Sequence, residues 1–182
     1  MQQAPQPLAG NPPVTAGDPE VERFIQGALR QAGSELAQPR PPEFVDPQAE
    51  TEMREQMYGV AVGLCDAENF MQAAPLAMSL AINSPYDPRY YFLTGRAFQR
   101  LGAFNIAQTF YEHSMRNGES ALACYRLAEC LAAQGQAQQS IAHFDRSFEL
   151  GRESGDHVAL QDSALAAIER VRQQSMNKGP SI

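Results

Sequence analysis

The sequence predicts an all-α protein, with three tandem helical hairpins between an N-terminal helix and a C-terminal capping helix. From residue 51 to 172 every periodic apolar segment has helical spacing. Within that stretch a pattern of large and small residues returns every 33 or 34 positions, the period of a helix-turn-helix repeat. Nine of the 13 prolines crowd into the first 50 residues, which also hold seven acids against three bases, so that part is organised differently.

Residues 1–17 read as a disordered, Pro-rich leader. "MQQAPQPLAGNPPV" lacks the basic and apolar regions of a secretory signal. Residues 18–37 read as an amphipathic helix, with Asp18 as N-cap, Pro19 at the first helical position, and Glu20 and Glu22 at the positive end of the dipole. Its stripe of Val21, Phe24, Ile25, Ala28, Leu29, Ala32 and Leu36 needs a surface to cover it. Docking on its own domain and pairing with a second copy both fit the pattern. Residues 38–50, with "QPRPPEFVDP", read as a Pro-rich linker.

The repeats occupy residues 51–153. Phe104 falls 34 residues after Phe70, Ala107 after Ala73, Phe98 after Leu64 and Gly95 after Ala61. The third copy follows at 33, matching Gly95 to Ala128, Phe98 to Leu131, Gly102 to Gly135 and Tyr111 to Phe144. Such a tetratricopeptide-like hairpin predicts the role of two glycines. Gly95 belongs where the first helix meets the second at close range, with Ala61 and Ala128 as its small counterparts. Gly102 and Gly135 belong at the end of the first helix, where a left-handed residue reverses the chain. Pro75 is expected in the first turn or so of its helix. Stacked hairpins need covered ends, and residues 154–174, with Val158, Leu165, Ile168 and Val171 spaced for one face, read as the cap. Residues 175–182 read as a fraying tail.

Composition narrows the function classes. No apolar run approaches the roughly 20 residues of a membrane span. A net charge of -7 disfavours nucleic acid or an anionic membrane as main partner. Cys65, Cys124 and Cys130 form no CxxC pair and read as reduced, small apolar residues. His113, His143 and His157 have no metal-ligand spacing, and no G-x-S-x-G, phosphate loop or H-E-x-x-H occurs, so neither an enzyme nor a cofactor is expected. The acids Asp66, Glu68, Asp145 and Glu149 read as solvated faces.

Two stretches carry a more specific resemblance: "YDPRYYFLTGRAFQRLG" at 86–102 and "RLAECLAAQG" at 126–135. Over roughly residues 50–150 the chain resembles the class II chaperones of bacterial type III secretion systems, tetratricopeptide-repeat proteins that hold translocator subunits. The resemblance implies a cytoplasmic, non-enzymatic chaperone. Such a protein binds an extended N-proximal segment of an apolar translocator, often a Pro-x-Leu-x-x-Pro type motif, in the concave groove. It also implies a homodimer through the N-terminal helix, using Val21, Phe24, Ile25, Ala28, Leu29 and Leu36. Relatives often have an aromatic where this chain has Cys65.

Array geometry alone points to the same groove, because the first helix of each hairpin lines the concave side. The inward register gives Tyr58, Val62, Cys65 and Asp66, then Phe92, Arg96, Gln99 and Arg100, then Tyr125, Glu129, Ala132 and Ala133. Tyr58, Phe92 and Tyr125 share one register position. They either face the groove as pockets for apolar or proline side chains or pack between repeats. Two other partners are conceivable for such a groove: an amphipathic needle or filament subunit, and the C-terminal carboxylate of a heat-shock protein. The carboxylate clamp needs Lys and Asn where this chain has Tyr58, Val62, Leu93 and Leu122, with only Arg126 cationic.

Overall fold

The structure, a computed structural model, describes residues 18–37, 46–155 and 158–177. The expected leader, most of the linker and the last five residues lie outside these. Eight α-helices and one 3-10 turn follow one another, without strands among the described residues: α1 (Pro19–Ala37), α2 (Pro47–Asp66), α3 (Phe70–Asn83), α4 (Pro88–Arg100), α5 (Phe104–Ser114), the turn Met115–Asn117, α6 (Ala121–Ala133), α7 (Ala137–Ser154) and α8 (Val158–Asn177). The pairs α2/α3, α4/α5 and α6/α7 are the three expected hairpins, and α8 packs on the last of them.

Three helices begin with the same dipeptide. Asp18-Pro19, Asp46-Pro47 and Asp87-Pro88 each place a carboxylate before a proline, and each carboxylate accepts a hydrogen bond from the backbone N–H two residues on, at 2.9 to 3.0 Å. Proline at the first position loses a donor that would have no helical acceptor anyway. Ser120 caps α6 by accepting from the Ala123 N–H at 3.0 Å. The second of these starts shifts an expectation: α2 begins at Pro47, inside the stretch read as linker.

The first helices end alike. The Gly102 N–H donates to the Gln99 carbonyl and the Ala103 N–H to that of Phe98, a Schellman closure repeated by Gly135 and Gln136. Gly102 and Gly135 have φ of 76° and 78°, as their spacing predicted. In the first hairpin Glu68 takes the same place, with φ 59° and the same two bonds from residues 68 and 69. Pro75 departs from expectation. It sits five residues beyond Phe70, in the second turn of α3, where it cannot donate to the Met71 carbonyl.

Large side chains meet small ones between the helices of each hairpin. A Cβ at Gly95 would lie 2.8 Å from the Tyr111 ring, so the close approach read from the repeat is real. Buried hydroxyls repeat as well. Ser114 donates to the Pro88 carbonyl at 2.9 Å and Ser147, 33 residues later, to that of Ala121 at 2.7 Å. Each bond ties a second helix to the start of its first.

One core cluster runs from α1 through α6, around Phe98, Leu101, Tyr111 and Leu131. A second joins Ala128 and Phe144 to Ala164, Ala167, Ile168 and Val171 of α8. The capping helix is thus turned differently from expectation. Ile168 and Val171 are buried, but Val158 and Leu165 are 66% and 50% exposed, and alanines take their place against α7. Small residues allow closer helix approach than a Val/Leu stripe.

For α1 the structure shows docking on its own chain. Val21, Ile25, Ala28 and Ala32 are buried in the first cluster, with α3 as the contacting helix. Phe24 packs half-buried against the same cluster. Of the positions expected at a dimer seam, Val21, Ile25 and Ala28 are therefore already covered, and Leu29 and Leu36 remain at the surface.

Candidate functional site: the inner face of the hairpin array

Contacts run from α2 to α4, from α4 to α6 and from α6 to α8. The first helices therefore form an inner layer, and several of their expected inward positions line two depressions. The upper one is a pocket of about 300 Å³ lined by Tyr58, Pro88, Arg89, Phe92, Ser114, Gly118, Ser120 and Leu122.

Tyr58 and Phe92 are half-buried there. Each leans on an aromatic behind it, Tyr58 on Tyr90 and Phe92 on Tyr111, with ring centroids 5.5 Å apart in both pairs. The rings are therefore fixed in place while part of each stays accessible. Arg89 adds a lid over Tyr58, its guanidinium 5.1 Å from the ring centre. That guanidinium also bonds Glu55 and Asp87 at 2.7 Å. The hydrogen bond from Arg89 lowers the pKa of both carboxyls, and the two together raise that of Arg89.

Tyr125 is half-buried like Tyr58 and Phe92 but does not line this pocket; it lies edge-on to Phe144 with centroids 5.1 Å apart, against the second core cluster. Leu122, one turn earlier, lines the pocket instead and is 41% exposed. Arg89 and Leu122 share a register position that the inward assignment left out. The same period, applied one turn nearer the helix N-terminus, would have found both.

The lower part is polar. A smaller depression of about 150 Å³ is bounded by Cys65, Asp66, Glu68, Phe70, Arg96, Gln99, Arg100 and Arg126. Arg96 pairs with Asp66 at 2.9 Å, Arg100 with Glu68 at 3.0 Å and Arg126 with Glu129 at 2.9 Å. A relay crosses from the second hairpin to the third. The Tyr111 hydroxyl donates to Gln99 at 2.7 Å, and the Gln99 amide donates to Glu129 at 2.9 Å. Val62 and Ala132 are half-buried between these zones, and Ala133 is exposed. Cys65 lies at the floor of the lower depression. It is 1% exposed and belongs to the core beneath, where burial raises its thiol pKa.

Other candidates stay apart. His113 stacks on Tyr91 with centroids 5.4 Å apart, on the second helix of its hairpin, and burial lowers its pKa. His157 lies outside the described residues. Among the described residues no cluster of His, Cys, Asp and Glu could hold a metal, and no helix is long and apolar enough to cross a membrane.

No protein-family model matches the chain, and no curated protein sequence does. Solved structures match it well. The type III secretion translocator chaperone SycD of Yersinia enterocolitica aligns with a TM-score of 0.66 at 18% identity, over 69% of this chain and 88% of its own. PcrH in complex with the chaperone binding region of PopD gives 0.67 at 21%, over 74% and 99%. PcrH from Pseudomonas aeruginosa gives 0.62 at 25%, over 66% and 92%.

This chain has the translocator-chaperone fold.

Within that fold the pocket around Tyr58 and Phe92 lies between the first and second hairpins, with Leu122 of the third closing one side. The arrangement offers an apolar anchor point above a floor of paired charges. It can hold an apolar side chain.

Proposed function

We propose that this protein is a type III secretion chaperone that holds an apolar translocator through an extended segment laid along the inner face of its repeats. The observation that carries this reading is the pocket between Tyr58, Phe92 and Leu122, whose aromatic walls are held from behind and open in front. Preformed apolar pockets of this kind take alternate side chains of an extended peptide. PcrH has been solved with the chaperone binding regions of PopD and of PopB, and SycD with a peptide of the translocator YopD. A cytoplasmic, non-enzymatic role accords with such a surface. The carboxylate-clamp alternative is disfavoured because Arg96, Arg100 and Arg126 each already pair with a carboxylate.

Phe92→Ala and Tyr58→Ala test the reading. Each is expected to weaken binding of the translocator segment by about 2 kcal/mol, roughly thirtyfold, as truncated anchor aromatics do. Tyr125→Ala serves as the contrast, because its ring packs on Phe144 and its loss should lower stability more than affinity. Calorimetry with peptides tiled along an apolar translocator provides the measurement. Unchanged affinity in folded Phe92 and Tyr58 variants sinks the proposal.

A homodimer belongs to the same proposal, with Leu29 and Leu36 as the α1 side chains left to contribute. SycD is described in an alternative dimer. Light scattering at tens of micromolar, on wild type and on Leu29→Glu with Leu36→Glu, checks it; a monomeric wild type rules it out.

A further inference from the structure

Residues 1–17 contain no Asp, Glu, Lys or Arg; all 14 bases and 21 acids of the chain lie at or beyond Asp18. The same 17 residues hold Pro5, Pro7, Pro12 and Pro13, with Leu8 and Val14 among them. We propose that this leader is an internal ligand, occupying the Tyr58/Phe92/Leu122 pocket of its own chain until cargo displaces it. The inference rests on the groove reading above.

Composition supports the fit. In a polyproline II conformation, with three residues per turn, Pro5, Leu8 and Val14 fall on one edge of the strand. An apolar pocket can take such an edge without desolvating any ion. Arg89, the charged group at its rim, is already bonded to Glu55 and Asp87 and calls for no acidic partner. Leu122, 41% exposed when the pocket is open, would gain cover.

Tethering supplies the rest. The leader joins α1 at Asp18, whose carboxylate caps that helix, and Val21 and Ile25 hold the helix on the first hairpin. Ten residues separate Leu8 from Asp18, and at about 3.1 Å per residue they span about 31 Å. The longest helices here, at 20 residues, are about 30 Å long. Leu8 can thus reach as far from Asp18 as one of these helices is long. A segment held this way has an effective concentration of order 1 mM. An intrinsic dissociation constant of about 100 µM would then leave about one pocket in eleven open, weakening a competing peptide about tenfold.

The test uses the full chain and a fluorescein-labelled peptide copying residues 3–15. Anisotropy titrations compare the wild type with a full-length chain carrying Leu8→Asp and Val14→Asp, which opens the pocket. The peptide is expected to bind the double variant about tenfold more tightly than the wild type, and adding Phe92→Ala should abolish the difference. Equal affinity for both chains, or no binding to the double variant, overturns the proposal. A translocator peptide titrated in the same series separates the two readings. If it binds the double variant in a Phe92-dependent way while the leader peptide does not, the groove stands and self-occupancy falls; if neither binds, both fall.

Discussion

At the scale of single residues, two positions in the repeats invite opposite changes. Gly95→Ala would place a methyl carbon 2.8 Å from the Tyr111 ring, and the ring cannot retreat without breaking its hydroxyl's bond to Gln99. We expect a loss of about 1 to 3 kcal/mol, as for other overpacked sites, read from urea denaturation. Glu68→Gly should do the reverse. Glu68 holds a left-handed conformation, φ 59°, that costs a side-chain-bearing residue about 1 to 2 kcal/mol, and its pair with Arg100 is exposed and recovers little. A gain of about 1 kcal/mol is expected; a loss would mean the ion pair outweighs the strain. The two sites also show what a sequence reveals. Gly95, Gly102 and Gly135 were legible because glycine at a repeating position implies a backbone demand. Glu68 aligns with Gly102, so the signal existed in the register, but nothing in a glutamate announces a left-handed turn. The inward register placed Cys65 on the right side of its helix, at the floor of the lower depression, but register predicts direction along a helix and not depth beneath the surface.

At the scale of elements, periodicity locates an apolar stripe without saying what covers it. The α1 stripe fitted a partner copy and its own domain equally, and only the packed chain shows Val21 and Ile25 against the first hairpin. This changes the expected result of mutating it. Ile25→Glu should destabilise the folded chain by about 3 kcal/mol or more, because an unpaired carboxylate would be forced into the core. Leu36→Glu, at a position 68% exposed, should stay within about 0.5 kcal/mol of wild type. Equal, small effects of both on denaturation midpoints would show that α1 does not hold to the array in solution. For α8 the sequence favoured the larger side chains, but the buried face mixes Ala164 and Ala167 with Ile168 and Val171. Alanine carries too little apolar weight to dominate a periodic pattern, although it permits the closest helix contacts. The second Asp-Pro start, Asp46-Pro47, was readable from the first and hidden only by the prolines around it.

At the scale of the whole molecule, the buried acids of the core set a pH response. Burial pushes the Cys130 thiol up to about 12 and that of Cys124 to about 11, against an ordinary value of 9.0. Tyr111 is raised in the same sense and for the same first cause, burial. The folded chain thus retains protons that the unfolded chain releases. Stability from these groups is complete below pH 9, declines as pH rises past the unfolded values, and is lost through the folded ones. Denaturation midpoints should be flat from pH 7 to about 8.5 and fall steadily above 9, less steeply in Cys130→Ala. A rise over that range would show that these side chains are solvated. The three-hairpin plan was the most legible feature of all, because a period of 33 or 34 survives the loss of any individual residue match.

Most helices here touch only their neighbours in the chain or the next hairpin along, and that has a consequence for synthesis. Local contacts close short loops, so folding is fast and needs no distant segment. As the chain leaves the ribosome, each hairpin can close once its second helix has emerged, and α1 can dock as soon as α3 is out. This topology lets assembly keep pace with translation.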